Sequence, residues 1–258
     1  MKLPLLSTAL LLSAVSLAQA QQTAKPEDTE VYEPVPKTVV ASPNFEPAPS
    51  DALVLFDGKD LSQWVMADDR NTPAKWKVGS GILTVDKTTG NIETKKQFTN
   101  YQLHLEWRIP ANISGTGQAR GNSGVFLASL GKGDAGYELQ IVDSYQNKTY
   151  VNGQAGSIYK QLVPLANPAR KPGEWQSYDV VWTAPIFKAD GSVQTPARAT
   201  VFFNGVLVQN NVSLTGPTRY IGPASYEGQA HGPAPIKLQA HGDKSEPLSF
   251  RNIWVREL

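Results

Sequence analysis

Between positions 101 and 109 the chain alternates without a break. Tyr101, Leu103, Leu105 and Trp107 are large and largely apolar, whereas Gln102, His104, Glu106 and Arg108 between them are polar. Side chains on a strand point to opposite faces in turn, so this segment reads as an antiparallel strand with one face on a core. Shorter apolar runs over 52–56, 82–85, 124–128, 137–142, 178–183, 199–203, 206–209, 236–240 and 250–257 read as further strands. Asn204-Gly205 lies between two of them and predicts a tight hairpin, because both turn residues must accept positive φ. No stretch carries a sustained helical period. Many short strands with frequent Gly and Pro turns predict an all-β fold, a two-sheet antiparallel β-sandwich of jelly-roll type. The connection 151–174 is long and holds Gly153, Gly156, Pro164, Pro168 and Pro172. Connections of that length in compact domains often carry function.

The N-terminus follows another pattern. Met1-Lys2 precedes an apolar run over 3–17, and Ala18-Gln19-Ala20 has the small-x-small form of a cleavage site. Residues 1–20 are therefore expected to be a secretory signal peptide, too short and interrupted for a membrane span. An exported protein, periplasmic or extracellular and bacterial, is the expectation. Residues 21–50 carry six prolines and scattered acids, which predicts an extended linker. Residues 51–258 form the single sandwich domain. The chain has no cysteine, which excludes thiol chemistry, Fe–S clusters and Cys-ligated zinc. A domain of this size needs no disulfide to bury a core. With 24 basic and 23 acidic residues there is no basic stripe for nucleic acid.

Candidate chemistry concentrates on strand faces. In the 137–143 run, Glu138 and Gln140 share one face while Leu139 and Ile141 face the core, and a bulge would bring Asp143 to the same side. The spacing is similar to the Glu-Asp-Glu set of laminarinase-type glycosidases, with Gln140 in place of the middle acid. A two-carboxylate glycosidase needs an acid and a nucleophile or base at fixed separation, so Gln140 argues against that chemistry. His104, Glu106 and Arg108 form a second polar face. Asn122, in Gly121-Asn122-Ser123-Gly124, can hydrogen-bond sugar hydroxyls from a loop whose glycines admit a ligand. Lys237, Gln239 and His241 share a third face, and His241 can move a proton or ligate a metal, though no His-x-His or HExxH spacing supports a zinc site. His231 is a weaker instance. Asn112, Asn147 and Asn211 fit the glycosylation pattern, which matters only on a eukaryotic secretory route.

Taken in order, the motifs form a set. Leu55-Phe56-Asp57-Gly58-Lys59-Asp60-Leu61 with Trp64 is followed by Leu103-His104-Leu105-Glu106-Trp107-Arg108. Gly121-Asn122-Ser123-Gly124-Val125-Phe126, Tyr137-Glu138-Leu139-Gln140-Ile141 and Pro172-Gly173-Glu174-Trp175 come next. Phe203-Asn204-Gly205-Val206 and Phe250-Arg251-Asn252-Ile253-Trp254 close it. The set resembles the 3-keto-disaccharide hydrolase family, formerly domain of unknown function 1080, over nearly all of 51–258. The resemblance implies a concanavalin-like, laminarinase-like sandwich that cleaves glycosides oxidised at C3, by elimination and rehydration or net hydrolysis. It makes a small carbohydrate the expected partner and gives no reason for a nucleotide cofactor. A C3 ketone acidifies the C2 proton, so the chemistry needs a base, a donor for the enolate oxygen and an acid for the leaving oxygen. Glu138, His241 and Asp143 are the candidate catalytic groups. Gln140, Asn122, Arg108, Glu106, His104, Gln239 and Lys237 are the candidate substrate contacts.

One departure stands out. The family segment would carry an acid before the histidine, as in Leu-Gln-Asp-His-Gly, and here that position is Ala240. A divalent cation such as calcium is common in such sandwiches by resemblance, but no Asp-rich loop demands one, and Asp57, Asp60, Asp68 and Asp69 read better as turn residues. The alternative functions are a non-catalytic carbohydrate-binding sandwich, a hydrolase of unmodified glycans, and an adhesion or scaffolding module.

Overall fold

The computed structural model describes residues 24–38 and 48–258. The expected signal peptide lies outside the described residues. Two antiparallel sheets face each other. Their strands in chain order are β1 (Leu53–Phe56), β2 (Trp64–Met66), β3 (Lys77–Gly79), β4 (Ile82–Thr84), β5 (Ile92–Thr94) and β6 (Tyr101–Arg108). There follow β7 (Ser123–Ser129), β8 (Gly136–Ile141), β9 (Trp175–Thr183), β10 (Arg198–Phe203), β11 (Val206–Ser213), β12 (Lys237–Leu238) and β13 (Ser249–Glu257). One sheet of eight strands runs β11-β10-β9-β6-β13-β4-β3, with β1 also on β13. The other, of five, runs β2-β5-β12-β7-β8. β2, β3 and β5 are not among the strands the sequence predicts; β4 and β12, as short or shorter, are marked there by the apolar runs 82–85 and 236–240.

The alternation predicted for β6 is the alternation observed. Tyr101, Leu103, Leu105 and Trp107 are buried in one core with Val125, Leu127, Leu139 and Ile141 of the opposite sheet. The large side chains reach across: Tyr101 donates to the Leu127 carbonyl at 2.5 Å and Tyr178 to the Gln140 carbonyl at 2.6 Å. Each buried side chain of this size contributes about 1.5–3 kcal/mol, and each phenol keeps a partner in an apolar interior. Asn204 and Gly205 both have positive φ, 52° and 77°, and join β10 to β11 as the hairpin expected.

β8 ends the five-stranded sheet, yet its backbone is not left bare. The long connection folds back over it: the Gln140 N–H donates to Ser157 O at 3.0 Å and the Tyr159 N–H to Glu138 O at 3.0 Å. This covers an edge that would otherwise pair with other chains. It also carries Tyr159 to the side of Glu138. In the segment expected as an extended linker, residues 24–38 lie along this connection. Asn152 donates to Thr29 O at 2.8 Å and accepts from the Val31 N–H at 3.1 Å, and Lys160 donates to Pro26 O at 2.7 Å. Residues 37–38 pair in parallel with 166–167. No helix among the described residues is long and apolar enough to cross a membrane.

Candidate functional site

The outer face of the five-stranded sheet is polar. Register places Glu93, Lys237, Phe126 and Glu138 in one row across β5, β12, β7 and β8. Gln140 stands opposite Gly124 in the next row, beside Gln239, whose N–H donates to Gly124 O at 3.0 Å. A pocket of about 120 Å³ opens over this second row, lined by Asn122, Asp134, Glu138, Gln140, Tyr159, Thr218, Tyr220, Gln239 and His241. Five of the residues singled out in the sequence, Asn122, Glu138, Gln140, Gln239 and His241, therefore meet.

Glu138 is the acid of the pocket. It is 5 % exposed and its backbone N–H is held by Thr218 Oγ1 at 3.0 Å. Burial, with the Asp134 carboxylate adding to it, pushes its carboxyl up to about 8, while Lys237 pulls weakly the other way. Glu138 is thus largely protonated at neutral pH. Asp134, in the turn between β7 and β8, was not found in the sequence, where it looks like an ordinary turn residue beside Gly133.

His241 is held from both sides. Its Nδ1 lies 2.9 Å from Asp243 Oδ2, and its Nε2 lies 3.4 Å from Asn122 Nδ2. The Asp243 N–H also approaches Nδ1, at 3.2 Å. The shorter contact, to a carboxylate, favours the tautomer that carries its proton on Nδ1 and turns the Nε2 lone pair toward Asn122. Asp243 has 4 % of its side chain exposed. Burial alone would raise its carboxyl, but hydrogen bonds from His241, Ser245 and Lys87 outweigh burial and hold it well below the usual carboxylate range. Lys87 reaches Asp243 Oδ1 at 3.0 Å, and Ser245 Oγ donates to the same oxygen. His241 thus has a carboxylate partner in Asp243, two residues beyond it, although position 240 is Ala240. The sequence shows the residue, but a strand-alternation argument stops at the strand end and passes it over.

The amides divide. Gln140 Nε2 donates to Gln118 Oε1 at 2.9 Å, and Gln140 Oε1 accepts from the Ile141 N–H at 3.0 Å, so this side chain is a fixed wall. Gln239 is 4 % exposed and its Oε1 is buried without a hydrogen-bond partner. A buried acceptor left in that state costs about 1–3 kcal/mol. A donor entering the pocket would satisfy it.

The remaining candidates lie elsewhere. Lys237 is fully buried, and its ammonium donates to Gly131, Gly133 and Ala135 carbonyls at 2.6, 2.9 and 3.0 Å. It pins the β7–β8 turn rather than facing a substrate. Asp143 is beyond the end of β8; Arg120 Nε holds it at 2.5 Å and it caps the Tyr145 N–H at 3.0 Å. No bulge turns it into the pocket, correcting the expectation that it joins Glu138. His104, Glu106 and Arg108 sit on the outer face of the other sheet, separated from the pocket by the core. There Asp179 lies 2.7 Å from His104 Nδ1, Arg251 Nε donates to Glu106 at 2.5 Å, and Arg108 stacks on Trp175 at 4.6 Å. His231 accepts from the Tyr137 hydroxyl at 3.0 Å, outside the pocket. Among the described residues no group of three or more His, Cys, Asp or Glu is placed to hold a metal ion.

A family model described as the 3-keto-alpha-glucoside-1,2-lyase-like domain matches residues 51–256. Among solved structures, a "putative glycosyl hydrolase" of Parabacteroides distasonis ATCC 8503 is 51 % identical, with a TM-score of 0.77, covering 90 % of this chain and 96 % of that one. Two further proteins of that organism with the same description are 23 % and 19 % identical, with TM-scores of 0.57 and 0.53. Each spans 80 % of this chain and, respectively, 99 % and 94 % of its own; at that identity they speak for the fold. No match was found among the curated proteins. The match over the whole sandwich, together with a relative sharing half its residues, supports a glycoside-cleaving enzyme and assigns the chain to the 3-keto-alpha-glucoside-1,2-lyase-like family.

Proposed function

We propose that the protein is an exported enzyme that cleaves 3-keto-glycosides by elimination across C1–C2, followed by hydration of the product or net hydrolysis. The observation that carries this reading is that one pocket holds both Glu138, whose carboxyl burial raises to about 8, and His241, whose Nδ1 is held by Asp243 at 2.9 Å. That pair is one acid and one base, not two carboxylates arranged for displacement at C1.

The roles follow from position. His241 Nε2 takes the C2 proton, and the C–H electron pair moves into the enolate of the C3 ketone. Asp243 stabilises the imidazolium that forms. When substrate enters, the Asn122 N–H that approaches Nε2 at 3.4 Å turns to the enolate oxygen and frees Nε2 to act as the base. As the enolate collapses to a C1–C2 double bond, the C1–O bond breaks and the departing oxygen takes the Glu138 proton. His241 ends protonated and Glu138 ionised; a proton passed back through water resets both. Positioned acid–base groups of this kind contribute about 10²–10⁴-fold each. Export rests on the pattern of residues 1–20.

The test is turnover of a 3-keto-α-glucoside against its unoxidised parent, by wild type and Glu138→Gln. Release from the keto form alone, lost in Glu138→Gln, is the expected result. Binding of the parent sugar with no turnover of either would make the protein a carbohydrate-binding module instead.

A further inference from the structure

Beside the candidate pocket lies a larger cleft of about 850 Å³. One wall is the N-terminal segment, contributing Tyr32 and Val35; the other is the long connection, contributing Tyr145, Thr149 and Gln154. Three hydrogen bonds fix the first wall: the Val151 N–H donates to Val31 O at 2.6 Å, and the Asn152 side chain donates to Thr29 O and accepts from the Val31 N–H.

One side chain joins cleft and pocket. Gln118 Nε2 donates to Thr149 Oγ1 at 3.0 Å, while its Oε1 accepts from Gln140 at 2.9 Å and from Asn122 at 3.4 Å. Residues lining the two openings are therefore bridged by a single glutamine. The pocket, at about 120 Å³, is small for a ligand of two rings, whereas the cleft falls within the roughly 300–1,000 Å³ of ordinary ligand sites.

The lining indicates what the cleft takes. Gln154 is 6 % exposed, and its Oε1 is buried with no hydrogen-bond partner. A buried acceptor calls for a hydroxyl or amide donor. Tyr32 and Tyr145 are 51 % and 37 % exposed, and such faces stack on the C–H faces of a sugar ring. Glu33 and Lys148 are the charged lining residues and offset each other, which favours a neutral ligand.

We infer that this cleft is a second carbohydrate subsite, holding the neutral polyhydroxylated group beyond the bond that is cleaved. The inference rests on the proposed function for which bond that is, but not for the binding itself. A substrate with a second sugar gains contacts with Gln154 and Tyr32; a methyl glycoside cannot reach them.

The test compares a 3-keto α-glucosyl disaccharide with 3-keto methyl α-glucoside, using wild type, Tyr32→Ala and the near-isosteric Gln154→Met. The expected result is a fall of roughly tenfold in the ratio of kcat/KM for the disaccharide over that for the methyl glycoside in each variant. An unchanged ratio in both variants, with thermal melting showing them folded, overturns the subsite. If neither keto sugar is turned over, the function proposed above fails, and calorimetric titration with the unoxidised disaccharide and methyl α-glucoside decides the subsite separately. Weaker disaccharide binding in the variants, with methyl glucoside binding as in wild type, supports it; equal disaccharide binding in all three proteins removes it.

Discussion

Glu138 lies folded over Gly124. A Cβ on Gly124 would come within 2.5 Å of Glu138 Oε1 and 3.0 Å of its Cγ. Gly124 is a strand residue opposite Gln140, two pairs along from Glu138 and on the same face, so the absent side chain makes room for the carboxyl rather than for a turn. Gly124→Ala is expected to displace the acid while leaving β7 in place. A misplacement approaching 1 Å costs about 10²-fold in rate. Turnover falling ten- to a hundredfold with only a small change in melting temperature is the expected pair of results; unaltered kcat would mean that Glu138's position does not matter.

The protonation of Glu138 sets a pH limit. Its carboxyl is raised to about 8, so the acid form is present below that pH and lost above it. kcat on a 3-keto-glycoside should therefore decline as pH rises through about 8, and the decline should vanish in Glu138→Gln, whose residual rate is expected to be 10²–10⁴-fold lower.

The same shift bears on stability. A carboxyl raised in the folded state binds more protons there than in the unfolded chain, so folding loses stability as pH climbs from the ordinary carboxylate range through about 8. Glu138→Gln removes that loss. Its melting temperature should exceed that of wild type by more at pH 9 than at pH 5; an equal difference at both would contradict the raised carboxyl.

Asp243→Asn tests the base. With an amide in place of the carboxylate, Nδ1 is no longer held as the proton-bearing nitrogen and the imidazolium loses its counter-charge. An analogous exchange in a serine protease triad costs about 10⁴ in kcat. A loss of at least a hundredfold in kcat with KM within a few-fold of wild type is expected. A loss confined to KM would make Asp243 a binding residue.

On the far sheet, His104 supplies a purely structural prediction. Burial lowers its pKa, but Asp179 and Glu106 outweigh burial and raise it to about 9. A histidine raised in the folded state stabilises fully below its ordinary value near 6.5 and loses that contribution as pH rises through about 9. His104→Gln should therefore lower the melting temperature more at pH 6 than at pH 9.5, with keto-glycoside turnover kept. A pH-independent effect would show that the ion cluster carries no net charge linkage.

The fold was legible because its signal is local. Alternation in β6 and the two positive-φ residues at Asn204-Gly205 are properties of adjacent positions. Half of the site was legible for the same reason: Glu138 and Gln140 must share a face if Leu139 and Ile141 are buried. What was illegible depends on which sheet each polar face belongs to. His104, Glu106 and Arg108 look no different in sequence from Lys237 and Gln239, yet they lie on the opposite side of the core. Lys237 shows a second limit, since nothing local reveals that three carbonyls of the β7–β8 turn surround its ammonium. Asp134, Tyr159 and Asp243 come from turns and loops, where no period predicts direction.

Ser245 gives the site a mechanical character. Its hydroxyl accepts from the Gly121 N–H at 2.9 Å and donates to Asp243, so one partner of the His241 ring and the backbone next to the other are tied to one atom. The ring is then one link in a closed chain running from Asn122 through Gly121, Ser245 and Asp243 back to itself. A closed linkage has fewer free motions than its links taken singly. The imidazole can pivot only if a bond of the ring of contacts opens, and the oxygen of Ser245 is the joint through which loosening on the glycine side reaches the carboxylate on the other.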